Sequence, residues 1–170
     1  MRHREKAGGV AGLAKADVPG AGEPVIEVVI VNYNAGDALQ RCVASVLSQQ
    51  RAVQVTVVDN ASSDGSAVRL EQSLGHSGRL QVLQNRQNRG FARAVNQAVS
   101  QLDRPVNFLL VLNPDCELLP GSLAELVTAI EQDPDAALAG PLVVDRHGEP
   151  LKATLRHFPT PWNSFLTVTG

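Results

Sequence analysis

Residues 108–112 constrain the fold most, because they form a continuous apolar run that stops abruptly in a polar corner. The run Phe-Leu-Leu-Val-Leu is followed directly by Asn113-Pro114-Asp115. Five consecutive apolar residues need cover on both faces, as the central strands of a parallel sheet have. Proline lacks an N–H and restricts the residue before it, so the strand ends there. The pattern predicts a central strand with Asp115 at its carboxyl end, where open α/β sheets bind ligands.

Earlier segments repeat this organisation of a buried strand, a polar loop and an amphipathic helix. Strands rich in β-branched residues are predicted at 25–31, 53–58 and 80–83, and the clearest helical spacing runs from Phe91 to Leu102 with Val99 on its inner face. Short connections imply right-handed βαβ units and a mostly parallel sheet. We therefore predict an α/β fold in which the loops at 32–34, 59–64 and 113–115 face one cleft.

The boundaries of the domain and its later elements are also predicted. Residues 1–24, rich in Gly, Ala and charge, indicate a flexible tail, and residues 25–170 indicate one incomplete domain. Asp37 is predicted to cap the first helix, which ends near Gln50, and a further helix starts at residues 120–122. A strand at 136–144, a hairpin turn at 145–149 and a return strand at 152–156 follow.

Composition excludes several classes of partner. The formal net charge is −2 and no basic stripe occurs, which argues against nucleic acid. Cys42 and Cys116 have no CxxC spacing, so neither a zinc site nor a disulfide framework is expected. No apolar run approaches the ~20 residues of a membrane span, and no signal peptide is recognisable. We expect a cytoplasmic protein in a reducing compartment.

Asp59 and Asp115 are the candidate binding residues of the predicted cleft. A fixed carboxylate such as Asp59 accepts hydrogen bonds and suits a ligand N–H, such as the imide of uracil or thymine. Asp115 can ligate Mg²⁺ or Mn²⁺ beside a diphosphate, with Asn113 contributing at most a weak amide oxygen. The structural alternatives are that Asp59 and Ser62 cap the next helix and that residues 113–115 form a turn before Pro120.

Arginines and one tyrosine flank the same predicted edge. Arg86, Arg89 and Arg93 surround the start of the Phe91 helix, where a helix N-terminus favours anions, although such a cluster is more often a solvated face. Tyr33 can stack on a base or be a partly buried aromatic. The GxGxxG, GxxxxGK[ST] and GxSxG motifs are missing, and the histidines have no metal-ligand spacing.

Four motifs together resemble family 2 glycosyltransferases of the GT-A fold, and most closely their rhamnosyltransferase-like branch. They occur in order over about Val25 to Leu166, with 156–159 also matching, and are Val29-Ile30-Val31-Asn32-Tyr33-Asn34, Val57-Val58-Asp59-Asn60-Ala61-Ser62-Ser63-Asp64-Gly65-Ser66, Asn88-Arg89-Gly90-Phe91-Ala92 and Leu112-Asn113-Pro114-Asp115. Each motif alone is weak, but four in this order and spacing are specific.

The resemblance implies an inverting transfer of a sugar, such as rhamnose, from a dTDP- or UDP-sugar to a glycan or lipid-linked acceptor. Asp115 is then the metal and diphosphate ligand, within Asn113-Pro114-Asp115 in place of the family's usual DXD motif. The implied nucleotide-sugar-binding residues are Val31, Tyr33, Asn34, Asp59, Asn60, Asn88, Arg89, Gly90, Asn113 and Asp115. The acceptor class is compatible with a peripheral position at the inner face of a membrane.

The chain departs from the family at its end. Family members are usually longer and carry a late acidic motif with the general base, which inversion needs and which is not found after Asp115. The catalytic base is therefore unassigned, and the alternative is a truncated, non-catalytic nucleotide-binding or interaction module. Trp162, Phe165 and Leu166 form an apolar segment that is expected to be exposed or to form a homo-oligomer contact.

Overall fold

The computed structural model describes residues 24–151, in which strands and helices alternate along the chain. In chain order the elements are β1 (Ile26–Asn32), α1 (Asp37–Leu47), β2 (Val53–Asp59), α2 (Ser66–Leu74), β3 (Leu80–Gln84), α3 (Phe91–Ser100), β4 (Phe108–Leu112) and α4 (Ser122–Gln132). A short 3₁₀ helix, Gly75–Ser77, follows α2. The predicted α/β alternation is confirmed, with strand boundaries within one residue of those expected.

The four strands form one parallel sheet in the order β3-β2-β1-β4. The register aligns Asn32 with Asp59 and Asp59 with Gln84, so the last residues of β1, β2 and β3 form one row across the sheet. Ile30 lies opposite Leu112, which places the residues after β4 at the same edge. The loops after β1, β2 and β4 therefore leave one edge of the sheet, as the sequence predicts.

The prediction that β4 is a central strand is wrong for the described sheet. β4 pairs only with β1 there, and its Leu109 and Val111 are 44% and 39% exposed. The strand buried on both faces is β1, in which every residue is buried. An apolar run indicates how hydrophobic a strand is. The position of the strand in the sheet depends on the direction of each crossover connection, and the run carries no information about that direction.

Helices cover both faces of this sheet. α1 and α2 contact each other, whereas α3 packs on β1 and β2. The buried cluster on the α3 side consists of Val29, Val31, Val58, Ala94 and Ala98. Phe91 and Val99, predicted to face inward, are 52% and 40% exposed. Phe91 is the first helical residue, and Val99 is turned by about 100° from Ala98, so neither follows the buried face.

The first helix also begins differently from the prediction. Gly36 occupies the N-cap position with φ of 59°, and no side chain caps the helix. Asp37 is the first helical residue, and its carboxylate lies 3.5 Å from Arg69. The prediction that Asp37 caps α1 is therefore wrong, because the loop turns one residue earlier at a glycine that tolerates a positive φ.

Contacts divide the chain into two compact units, residues 1–118 and 119–170. In the second unit, α4 buries Leu123 and Val127 and starts where Pro120-Gly121 predicted. The predicted strand at 136–144 is wrong, since only Val144 forms a bridge, with Pro150. The turn between them is closed by a hydrogen bond from Asp145 N to Glu149 O of 2.9 Å, and it confirms the predicted turn.

The failure of the 136–144 strand has a local cause. Gly140-Pro141 interrupts this segment, and a proline offers no N–H to a ladder. Three further predictions lie outside the described residues: the tail at 1–24 (except residue 24), the return strand at 152–156 and the apolar segment at 162–166. The prediction of a single domain over 25–170 stays a prediction.

The amino edge of the sheet contains a buried ion pair. Glu27, which is 1% exposed, accepts a hydrogen bond of 2.7 Å from Thr56 Oγ1 and lies 2.7 Å from Arg104. These residues line a polar pocket of about 170 Å³. The pocket opens at the end of the sheet opposite the predicted cleft, so its volume says nothing about the candidate site.

Candidate functional site

Asn32, the last residue of β1, holds the loops after β1 and β2 together. Its side chain is fully buried, and its Nδ2 donates to Asp59 Oδ1 at 2.7 Å and to Ser66 Oγ at 2.9 Å. Ser62 Oγ lies 3.0 Å from the same nitrogen. The two amide hydrogens of Asn32 are thus shared among three oxygens from one neighbouring loop and helix.

Asp59, the last residue of β2, is fixed by this arrangement at the edge of the sheet. It is 6% exposed, and its second oxygen, Oδ2, accepts a hydrogen bond of 3.1 Å from Ser62 N. The alternative that Asp59 and Ser62 cap α2 is not observed, since the N-cap of α2 is Gly65. Each carboxylate oxygen keeps further acceptor capacity beyond its single internal bond.

A second set of bonds joins the two loops above Asn32. Asn34 Oδ1 accepts from Ser63 N at 2.8 Å, and Asn34 N donates to Ser62 Oγ at 2.9 Å. Asn34 has a positive φ of 55°, a conformation that asparagine tolerates better than most residues. The amide oxygen of the predicted site residue Asn34 is therefore used in a hydrogen bond within the protein.

Asp64 closes the same pair of loops at their outer end. Its Oδ2 accepts from Gly36 N at 2.8 Å, and its Oδ1 accepts from Ser66 N at 2.9 Å and Ser66 Oγ at 2.6 Å. The hydrogen bonds from Ser66 lower the pKa of Asp64, because they favour the ionised carboxylate, and those from Gly36 and the charge of Arg69 add to this.

Asn60 connects the end of β2 to the loop before α3. It is 2% exposed, and its Oδ1 accepts from Asn85 Nδ2 at 3.1 Å and from Arg89 N at 3.4 Å. Its Nδ2 donates to Gly90 O at 3.3 Å. The predicted residues 88–90 are thereby brought to the edge that carries Asp59, and Asn60 itself is a scaffold residue of that loop.

The loop after β4 is built as a β-turn with Asp115 at its corner. Cys116 N donates to Asn113 O at 3.2 Å, so Pro114 and Asp115 occupy the two central positions. Proline sets the φ that the first of these positions requires. Asn113 and Asp115 are both exposed, and Cys116 Sγ lies 3.8 Å from Asp115 Oδ1.

Two thiols are associated with this turn: Cys116 is its fourth residue, and Cys42 Sγ donates to Asn113 O at 3.4 Å. Burial raises the pKa of Cys42 to about 12, with smaller contributions from Cys116, Asp115 and Glu117. Burial and the charge of Asp115 also raise the pKa of Cys116. Both cysteines are free, and both remain thiols near neutral pH.

The remaining predicted site residues differ in accessibility. Tyr33 is 55% exposed directly after β1, whereas Val31 is 7% exposed and belongs to the core cluster on the α3 side. Arg86 and Arg93 are exposed, and Arg89 Nη1 lies 3.4 Å from Gln97 Oε1. Tyr33 and the arginines are thus available to a ligand, while Val31 contributes to the core.

The donor set at the edge fits a divalent cation held jointly with a diphosphate. The described residues contain no group of three or more His, Cys, Asp or Glu side chains that could hold a metal alone. Mg²⁺ sites in nucleotide-binding proteins commonly use one or two carboxylates and complete their shell with phosphate oxygens and water. The exposed Asp115 carboxylate meets that requirement.

Sequence patterns do not indicate how several of these residues build the site. Ser62 is predicted only as a possible helix cap, Ser66 belongs to a polar run, and no pattern singles out Ser45 of α1. The feature that marks Asn32 is its position at the end of a buried strand, in register with Asp59. That feature can be recognised only when the pairing of β1 with β2 is known. Every buried side-chain nitrogen and oxygen among residues 24–151 has a partner.

Curated proteins similar to this chain include glycan-forming enzymes. The chain is 33% identical over 134 residues to N-acetylglucosaminyl-diphospho-decaprenol L-rhamnosyltransferase of Mycobacterium tuberculosis, covering 73% of this chain and 43% of that protein. It is 36% identical over 101 residues to the succinoglycan biosynthesis protein ExoU of Rhizobium meliloti, covering 59% of this chain and 29% of that protein. The chain thus spans less than half the length of these relatives.

Solved structures share the fold of the described sheet. A mannosyltransferase from Pyrobaculum calidifontis, in complex with GDP-Man and Mn²⁺, matches with a TM-score of 0.57 and 22% identity over 62% of this chain and 32% of that one. TarS of S. aureus matches with a TM-score of 0.55 and 22% identity over 63% of this chain and 32% of that one. The model of glycosyl transferase family 2 matches residues 27–168. The chain therefore belongs to glycosyl transferase family 2, and its parallel sheet is that of the GT-A fold.

Proposed function

We propose that this chain binds a nucleotide-diphosphate sugar at the carboxyl edge of its sheet and forms the donor-binding part of an inverting glycosyltransferase. The observation that carries the proposal is the pairing of a fixed, buried carboxylate, Asp59, with an exposed one, Asp115, at the same edge. The first suits recognition of a neutral N–H group, and the second suits a cation beside a diphosphate.

The base of the nucleotide would lie between Tyr33 and Asp59. Tyr33 is exposed and offers a face for stacking. Asp59 is held by Asn32 and Ser62, so it meets a ring N–H with little reorganisation, and a pyrimidine imide offers such a group. Asn88, Arg89 and Gly90, brought near by Asn60, would contact the ribose or diphosphate.

Asp115 would hold Mg²⁺ or Mn²⁺, with Asn113 at most a weak or water-mediated partner. When bound, the cation would neutralise the charge that develops on the leaving diphosphate. The exposed β-turn leaves the carboxylate open to the diphosphate oxygens, and Arg89 adds positive charge at the same edge. The acceptor is deprotonated by a general base that this chain's described residues do not identify.

The proposed donor is a dTDP- or UDP-sugar, and the proposed acceptor is a glycan or a lipid-linked sugar. The mycobacterial relative is named as a rhamnosyltransferase acting on a decaprenol-linked acceptor, which supports rhamnose and a lipid-linked acceptor here. Such an acceptor favours a cytoplasmic protein that works at the membrane surface. No helix among residues 24–151 is long and apolar enough to cross a membrane.

Isothermal titration calorimetry with UDP, dTDP and GDP, each with Mn²⁺, Mg²⁺ or EDTA, tests the proposal. We expect a pyrimidine diphosphate to bind more tightly with metal than with EDTA. Asp115→Asn should lower the affinity for the nucleotide in the presence of metal by roughly tenfold or more, since even loss of a residue that supports a metal ligand commonly has an effect of this size. Asp59→Asn should weaken binding with and without metal.

Asp103→Asn is the matched control, because it makes the same chemical change in an exposed carboxylate at the amino edge. It should bind like the parent chain. If no nucleoside diphosphate binds the folded parent protein, or if Asp103→Asn weakens binding as much as Asp115→Asn, the proposed site is wrong. Transfer assays with the whole protein then identify the sugar and the acceptor.

A further inference from the structure

The segment that carries Asp115 is attached to α1 at both of its ends. We call residues 113–118 the Asp115 loop. Cys42 Sγ donates to Asn113 O at 3.4 Å, and Leu118 N donates to Ser45 Oγ at 2.9 Å. Asp115 lies between these two attachment points, at the corner of the turn that Asn113 O closes.

We infer that Cys42 and Ser45 are positioning residues that set the place of Asp115 relative to the sheet edge. The inference rests on the proposed role of Asp115 as the ligand of a cation and diphosphate. Neither residue touches the proposed ligand. They act through the backbone of the loop, at its two ends.

The Cys42 contact fixes the turn itself. Asn113 O accepts two hydrogen bonds, from Cys116 N within the turn and from the buried Cys42 thiol. The carbonyl that closes the turn around Asp115 is thus tied to a helix in the core.

The Ser45 contact fixes the far end of the loop. Ser45 Oγ donates its proton to Cys42 O at 2.7 Å, so its lone pairs are directed to Leu118 N. The Ser45 hydroxyl therefore bonds both to Leu118 N of the loop and to the backbone carbonyl of Cys42, the residue that holds the other end of the loop. A third contact, Arg41 to Glu117 at 2.9 Å, joins side chains that are 59% and 54% exposed, and an exposed pair of this kind contributes little.

This arrangement explains how an exposed carboxylate can act with defined geometry. The Asp115 side chain is open to solvent, so its own contacts do not hold it in place. Binding sites lose much of their effect when a group moves by about 1 Å, and partners that orient metal ligands commonly change metal affinity by about 10–100-fold. A loop clamped at both ends restricts the Asp115 backbone without covering its carboxylate.

The test separates metal-dependent from metal-independent binding in three serine variants. Ser45→Ala removes the acceptor, and Ser45→Thr retains it. Ser48→Ala is the matched control, since this hydroxyl donates only to Ser45 O, at 2.8 Å, one turn along the exposed side of α1. Affinity for UDP or dTDP is measured by calorimetry in saturating Mn²⁺ and in EDTA for each variant.

We expect Ser45→Ala to lose roughly tenfold of the affinity in Mn²⁺ and to match the parent chain in EDTA. Ser45→Thr should restore most of the loss, and Ser48→Ala should bind like the parent. Cys42→Ala, which removes the donor to Asn113 O, should reproduce the metal-specific loss. Hydrogen exchange should show faster exchange of the Leu118 amide in Ser45→Ala than in Ser48→Ala.

Two outcomes would overturn the inference while leaving the proposed function intact. One is parent-like affinity in Mn²⁺ for both Ser45→Ala and Cys42→Ala when Asp115→Asn has lost it. The other is an equal loss in Mn²⁺ and EDTA, which would indicate a general structural defect. Absence of any nucleotide binding by the parent chain would overturn the proposed function and the positioning role together.

Discussion

The loops after β1 and β2 and the loop after β4 leave the same edge of the sheet but are built in opposite ways. Asn32, Asp59 and Asn60 are buried and bonded to one another's loops, whereas Asn113 and Asp115 are exposed. The first pair of loops is joined by internal hydrogen bonds, and the third presents an exposed carboxylate on a backbone attached to α1. One edge thus combines a buried carboxylate with an exposed one, and the proposed donor site uses the first for the base and the second for the cation and diphosphate.

This contrast teaches why polarity alone is a poor guide to a site. The polar run 59–66 uses most of its polar side chains for internal hydrogen bonds. The shorter run at 113–115 has few internal bonds and keeps its carboxylate available. Most polar side chains of the first run are therefore used to join the two loops, whereas the Asp115 carboxylate stays open to solvent.

Replacing Asn32 should have the largest effect on stability. Asn32→Ala removes the buried donor that Asp59 and Ser66 share, and an unpaired buried acceptor costs about 1–3 kcal/mol. We expect the free energy of unfolding in urea to fall by roughly 3 kcal/mol. Asn113→Ala, the same substitution in the exposed loop, should change it by less than about 0.5 kcal/mol. Equal effects of the two variants would contradict the contrast.

Replacing Asn60 should have a smaller and more local effect. Asn60→Ala removes the bonds to Asn85, Arg89 and Gly90, so the loop before α3 loses its attachment to β2. We expect a loss of about 1–2 kcal/mol in unfolding free energy and faster tryptic cleavage after Arg86 and Arg89. Asn96→Ala, in an exposed position of α3, serves as the control. Unchanged cleavage would show that Asn60 does not hold this loop.

Asp64 should make the joined loops sensitive to acid. Its pKa is lowered from 3.8 in the folded protein, so its contribution to stability is fully present above that value and is lost as the pH falls through the lower folded pKa. Asp64→Asn removes this contribution and places a donor against the N–H of Gly36 or Ser66. Unfolding curves should therefore differ most at neutral pH and converge in acid below 3.8. A pH-independent difference would argue against the ionised contact.

The smallest effect on stability is expected at Asp115. Asp115→Asn changes an exposed side chain that contacts the Cys116 thiol at 3.8 Å, so the free energy of unfolding should stay within about 0.5 kcal/mol of the parent value. The same variant is expected to lose metal-dependent nucleotide binding. A loss of stability comparable with that of Asn32→Ala would mean that the two kinds of loop are not distinct.

Much of the fold could be predicted from residue patterns, because periodicity and β-branched runs determine where strands and helices occur. The order of strands could not, since the hydrophobic run of β4 is compatible with a central or an edge position. The strand expected at 136–144 failed because Gly140-Pro141 outweighs its apolar content. Local patterns therefore located the four strands and their helices, but they did not determine which strands pair.

The edge of the sheet that carries the candidate site could be predicted, but the hydrogen bonds that hold its loops could not. Residues 59 and 115 were expected at one edge, and the register places them there. The bonds from Asn32 to Ser66 and from Ser45 to Leu118 span 34 and 73 positions in the chain, so no local pattern announces them. Val31, which the family resemblance assigns to the site, belongs to the core cluster on the α3 side, and its contact with a ligand stays a prediction.

The row formed by Asn32, Asp59 and Gln84 has a consequence for how this chain tolerates changes of length. Deleting one residue within β1 or β2 would turn the terminal side chain to the opposite face of the sheet, because side chains alternate along a strand. Insertions are better accommodated at the amino edge, in the connections 48–52 and 101–107, than at 33–36 or 60–65. Affinity tags or reporter domains placed within the chain should therefore be tried first at the amino edge.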